Sequence, residues 1–179
     1  MNIWENTVLT DKGIGLLTKL MEGNTLDITR AVTGANYVNP TLLREQTEII
    51  NPKQTLKFRE ITYPDEGKCK LPVWLDNDDL DEGYTAMQVG VFAKDPDEGE
   101  ILFFIAQANR DTGTIVPNKA ESPGYSAEWN FYFNFGSADG VTLLVDPTNV
   151  VTYPIMEQYV TAYVDAQAAT IPEIDAVTG

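Results

Sequence analysis

An α+β fold is predicted for this chain: an antiparallel β-sheet or sandwich of about six or seven strands, led by an N-terminal helix and followed by a C-terminal helical segment. Three patterns predict it. Apolar residues recur at helical spacing directly after Thr10-Asp11, apolar and polar residues alternate with a period of two through the middle of the chain, and residues 155–169 return to helix-forming composition behind Pro154.

The leading helix begins where Thr10 can accept from the free N–H groups of a first turn and Asp11 sits at the positive end of the helix dipole. Its buried stripe is expected to be Ile14, Leu17 and Met21, widened by Leu16 and Leu20. Gly23-Asn24 stops it, and Leu26, Ile28, Ala31 and Val32 begin a strand. Asn39-Pro40 reads as a turn into a short helical piece. A half-buried strand with a bulge follows over residues 54–63, carried by Leu56, Phe58, Ile61 and Tyr63. Cys69, Leu71, Val73 and Leu75 alternate cleanly, and Pro72 among them predicts an edge strand. Residues 87–93 and 101–107 form a hairpin about a loop rich in turn formers, and residues 128–135 and 141–145 supply two further strands. In residues 128–135, Trp129, Phe131, Phe133 and Phe135 share the core face, with Asn130, Tyr132 and Asn134 opposite. Asp146-Pro147 closes the sheet, and residues 171–179 read as a frayed tail.

Composition narrows the function classes. The 179 residues suffice for one domain with a real core, and no apolar run approaches a membrane span or secretory signal, so a soluble product of the cytoplasm is expected. A single cysteine, Cys69, forbids an internal disulfide, and the absence of histidine removes the usual Ser-His-Asp and Cys-His chemistries. The formal charge is −15, all of it after Tyr63, because residues 1–63 carry seven acids and seven bases. Such a surface repels phosphate backbones and anionic lipid, so neither nucleic acid nor a membrane is expected as a partner.

No motif for chemistry is complete. Asn77, Asp79 and Asp81 occupy the first, third and fifth positions of a calcium loop, but Glu82 stands where glycine is needed and Gln88 where the bidentate glutamate belongs. The stretch is a solvated acidic turn, as is the hairpin end around Asp95, Asp97, Glu98 and Glu100. Gly13 and Gly15 lack the third glycine of a dinucleotide loop and are expected to let the helix approach another backbone closely. No catalytic residue, cofactor or metal is assigned. Trp74 and Tyr132, opposite the apolar faces of their strands, are candidate partner-binding or sugar-binding aromatics. In the last segment Ile155, Tyr159, Ala162 and Ala166 are candidate oligomerisation residues, their four-and-three spacing competing with one through Met156, Tyr159, Tyr163 and Ala166.

Over residues 2–150 the chain resembles the phage tail-collar fibre family. The resemblance is carried by Leu9-Thr10-Asp11-Lys12-Gly13 with Leu16-Leu17, by Ile28-Thr29-Arg30 and Thr33-Gly34, by Gln88-Val89-Gly90-Val91-Phe92-Ala93 with Leu102-Phe103-Phe104-Ile105, and by the closing Val141-Thr142-Leu143-Leu144-Val145-Asp146-Pro147. It implies an attachment domain over residues 1–150 and a helical stalk or tail over 151–179. It also implies a non-enzymatic structural part of a phage or prophage tail, made in the bacterial host cytoplasm and fastening a fibre to tail or baseplate proteins. Such fibres are similar in working as trimers, which makes this a homo-oligomer, with a glycan receptor read by a region of a longer fibre that this sequence is expected to lack. The glycine-rich turn usual after the first strand is reduced here to Thr33-Gly34-Ala35-Asn36. A carbohydrate-binding module of a receptor-binding protein is the alternative.

Overall fold

The computed structural model describes residues 4–21, 26–62, 68–134 and 142–146. The chain opens with a strand, β1 (Asn6–Leu9), before helix α1 (Asp11–Met21). Then come β2 (Ile28–Gly34), a 3-10 helix (Pro40–Glu45), β3 (Pro52–Phe58), β4 (Lys68–Asp76), β5 (Tyr84–Ala86), β6 (Gln88–Asp95), β7 (Gly99–Gln107), β8 (Thr114–Val116), β9 (Ser126–Asn134) and β10 (Thr142–Asp146). This corrects the expected class. Among the described residues the fold is mostly β rather than a helix-led α+β, and α1 is a single short helix inserted after the first strand. The C-terminal helical segment expected over residues 155–169 lies outside the described residues.

Eight strands form one antiparallel sheet in the order β1-β7-β6-β2-β3-β4-β9-β10, and β5 pairs with β8 in a separate ribbon. In that order β7 and β9 stand five positions apart, about 24 Å in a flat sheet. Yet Phe104 of β7 meets Phe131 of β9 with ring centroids 5.1 Å apart. The sheet therefore curls around its own apolar face until β1 lies against β10, and Trp4, just before β1, packs edge-on against Trp129 of β9 at 5.3 Å. One curled sheet, not two stacked ones, encloses the core. Its interior holds Leu16, Ala31, Leu56, Leu71, Val73, Leu75, Val89, Val91, Phe103, Phe104, Trp129 and Phe131, all buried. Each large side chain here is worth about 1.5–3 kcal/mol of burial.

Thr10 joins the sheet to the helix. Its N–H continues the β1 ladder to the Phe103 carbonyl (3.1 Å), its hydroxyl oxygen accepts from Gly13 N (2.9 Å) and donates to the Leu102 carbonyl, and its own carbonyl accepts from Ile14 N (2.9 Å). The cap read from the sequence is thus also the last rung of an edge strand. The helix docks on β7 through a face rotated from the expected one: Gly13 and Leu16 are buried, while Ile14, Leu17 and Leu20 are partly exposed. A Cβ on Gly13 would stand 2.0 Å from the Phe103 carbonyl oxygen, so glycine sets how closely α1 approaches; Gly15 faces open space.

The outer side of β2, β6 and β7 is apolar too. Val32, Phe92, Leu102 and Ile105 are covered there by Leu43 of the 3-10 helix and by Ile49. Ile49 sits where a Cβ on either Gly34 or Gly90 would come within 2.5 Å of it. Burial on both faces is why β6 and β7 read as continuous apolar runs rather than alternating ones. Beneath this strap Gln88 Nε2 donates to Gln107 Oε1 (2.7 Å) and Gln107 Nε2 to the Val38 carbonyl (2.8 Å).

Strand β4 is interior, paired on one side with β3 and on the other with β9, which corrects the edge position expected from Pro72. The proline is tolerated because the groups of one residue point to the same neighbour in an antiparallel ladder. The Pro72 carbonyl accepts from Arg59 N (3.1 Å), so its missing N–H faces the β3 side, one residue beyond the end of that strand, and the β9 ladder loses nothing.

Candidate functional site

The two aromatic residues singled out from the sequence stand on the outward face of the β3-β4-β9 region, both half-buried. Trp74 on β4 lies opposite Lys57 of β3 and Glu128 of β9, and Tyr132 on β9 lies opposite Lys70 of β4. Cations rest on both rings: Lys57 and Arg59 at 5.0 and 5.6 Å from the Trp74 centroid, Lys70 at 6.0 Å from that of Tyr132. Lys57 also pairs with Asp76 (2.6 Å), whose hydrogen bond raises the lysine pKa, and Arg59 reaches across β4 to Glu128 (2.8 Å). Trp74 and Tyr132 share a face without converging. The Trp74 row meets β9 at Glu128, four residues from Tyr132, or about 13 Å along the strand.

The cations of this face were not singled out in the sequence. Their signal was present: Lys53, Lys57 and Arg59 fall at even spacing opposite the buried Leu56. Asn130, in the next row, is fully buried on the outward side, and neither its amide nitrogen nor its amide oxygen has a hydrogen-bond partner among the described residues. The candidate oligomerisation residues Ile155, Tyr159, Ala162 and Ala166 lie outside the described residues.

The acidic turn after β4 is organised by an amide. Asn77 is fully buried, and its Nδ2 donates to the carbonyls of Pro117 (3.0 Å), Asn118 (3.1 Å) and Ser122 (2.8 Å). The side chain that would open a calcium loop is thereby turned into a clip holding the loop before β9. No group of three or more Cys, Asp or Glu residues is placed to hold a metal ion among the described residues. At the other acidic turn, the β6-β7 hairpin tip, the carboxylates are paired. Lys19 of α1 meets Asp95 (2.7 Å) and Asp97 (2.8 Å), Lys12 meets Glu98, and Arg30 meets Glu100 (2.9 Å). Asp95 is 3% exposed, and the Lys19 hydrogen bond together with the backbone N–H groups of Asp97 and Glu98 holds its pKa below the ordinary carboxylate value.

A third polar group lies under the sheet. The Tyr84 hydroxyl donates to Gln54 Oε1 (2.8 Å) beside Thr33 Oγ1 (2.8 Å), and burial pushes the phenol up to about 12. It stays protonated near neutral pH. These arrangements fix loops to strands, and the outward β3-β4-β9 face offers charged and aromatic groups suited to contact. No described helix is long and apolar enough to cross a membrane. Comparison with family models, with curated proteins and with solved structures finds no match to the chain.

Proposed function

We propose that this chain is a non-enzymatic structural module of a phage or prophage tail, fastening a fibre to tail or baseplate proteins as a homotrimer. The observation that carries the reading is where the residues behind the tail-collar resemblance fall. The blocks at Leu9 to Gly13, at Ile28 to Arg30, at Thr33-Gly34, at Gln88 to Ala93 and at Leu102 to Ile105 fall on the end of β1, on α1 and on β2, β6 and β7, while the closing block at Val141 to Pro147 covers β10, at the other end of the strand order. Strands β7, β6 and β2 are consecutive neighbours, and α1 packs on β7. Apart from the closing block, motifs scattered over about a hundred residues therefore meet in one contiguous part of the sheet, which supports reading them together.

The chemistry is consistent with that role. The buried amides of Asn77 and Gln107 hold loops in place, and the carboxylates at the hairpin tip are committed to ion pairs. Immunogold labelling of tail particles from the producing bacterium, with antibody raised against this chain, tests the proposal. Label concentrated where fibres join the tail is expected, and particles free of label would refute it. A saturable glycan-array signal lost in Trp74→Ala or Tyr132→Ala would favour the carbohydrate-binding alternative instead.

A further inference from the structure

The outward face of β3, β4 and β9 is at odds with the charge of the rest of the chain. Lys53, Lys57, Arg59 and Lys70 all stand on it, a third of the twelve basic residues in a chain of formal charge −15. Asp76 and Glu128 neutralise Lys57 and Arg59, whereas Lys53 and Lys70 meet no carboxylate at ion-pair distance among the described residues. In the middle of the same face, opposite Asp146 of β10 in register, Asn130 keeps both amide atoms buried and without a hydrogen-bond partner among the described residues. Two half-buried aromatic rings, unspent positive charge and an unsatisfied amide are together the features of a contact surface for an acidic polypeptide.

An acidic complement exists on this chain. Asp78, Asp79, Asp81 and Glu82 are exposed in the turn after β4, and none forms an ion pair among the described residues; Asp78 and Asp79 act only at longer range on Lys57, at the near end of the face, and Lys119 donates to the Asp78 backbone carbonyl. The turn cannot reach back to Lys70 within one molecule. It leaves β4 at Asp76, six residues or about 20 Å along the strand from Lys70. We propose that the Arg59, Lys70, Trp74 and Tyr132 face of one copy binds the acidic turn, residues 78–82, of a second copy. The two surfaces differ, so the contact is heterologous and propagates until a ring closes. Molecules of charge −15 repel one another at long range, but at about 0.15 M salt that repulsion is screened beyond about 8 Å while touching pairs persist. The inference stands on charge placement and does not depend on the tail-fibre reading.

Light scattering on the full chain after size exclusion tests it, at about 0.15 M and about 1 M salt. An oligomer is expected at the lower salt and mostly monomer at the higher. Arg59→Glu with Lys70→Glu, and separately Asp79→Lys with Asp81→Lys, should each weaken association at least tenfold. An equimolar mixture of the two charge-reversed proteins should form mixed complexes that neither forms alone, because every contact between unlike variants sets an acidic surface against a basic one. Asn130→Leu, which removes the unmatched amide, should weaken association while leaving the thermal midpoint of the monomer unchanged or higher, a readout separate from folding. A wild-type monomer at both salts, an oligomer indifferent to either reversal, or a mixture that fails to reassociate would each overturn the proposal.

Discussion

Thr10 concentrates several bonds in one side chain, and its replacement should be felt accordingly. Thr10→Ala removes the cap on Gly13 N and leaves a buried carbonyl at Leu102 short of a donor. We expect a loss of about 1–3 kcal/mol in urea unfolding, with Thr10→Ser much closer to wild type. The two helix glycines should part company. Gly15→Ala, facing open space, is expected to stabilise by about 0.5–1 kcal/mol. Gly13→Ala should destabilise despite the same gain in helix propensity, since the new methyl would meet the Phe103 carbonyl oxygen. The cap at Thr10 was legible because its chemistry is local. The close approach was legible at Gly13, though not its absence at Gly15, while the face of α1 was not, because a hydrophobicity pattern gives no weight to the glycine on which the helix rests.

At the scale of elements, α1 and the β6-β7 hairpin are joined by charge. Asp95 has its pKa lowered chiefly by Lys19, so its contribution to stability is complete above the ordinary carboxylate range and is lost as pH falls through its lowered folded value. Lys19 is raised, so its contribution is present below the ordinary lysine value and is lost at still higher pH. Unfolding free energy measured from pH 7 downward should therefore fall less steeply in Asp95→Asn than in wild type, from a lower starting value. The 3-10 strap makes a different demand. Ile49→Ala should cost about 2–4 kcal/mol by emptying the slot over Gly34 and Gly90, readable as a lower urea midpoint with unchanged slope. Strands β2, β4, β6, β7 and β9 were legible from alternation or from long apolar runs. Strands β1, β5 and β8 have four, three and three residues, too few for either signal. Pro72 misled because a missing N–H says that one side of a strand is unpaired at that residue, not along its length.

Across the whole molecule, the curl of the sheet was beyond a reading of segments. It follows from pairings between residues far apart in sequence, such as Val8 with Ile105 and Val73 with Trp129, and from aromatic contacts that close the interior. Trp4→Ala, which removes the edge-on partner of Trp129 where the curl closes, should cost about 3–5 kcal/mol in urea unfolding and alter the near-ultraviolet dichroism. The strand order has a bearing on biogenesis as well. Strand β1 has its partner at residues 104–107, and β4 completes its pairing only with β9, so the earlier segments emerge from the ribosome with apolar edges uncovered. Until β7 and β9 have been made these segments are exposed to faulty pairing, and refolding should be slow for the size of the sheet, with chaperone supply governing yield more than equilibrium stability.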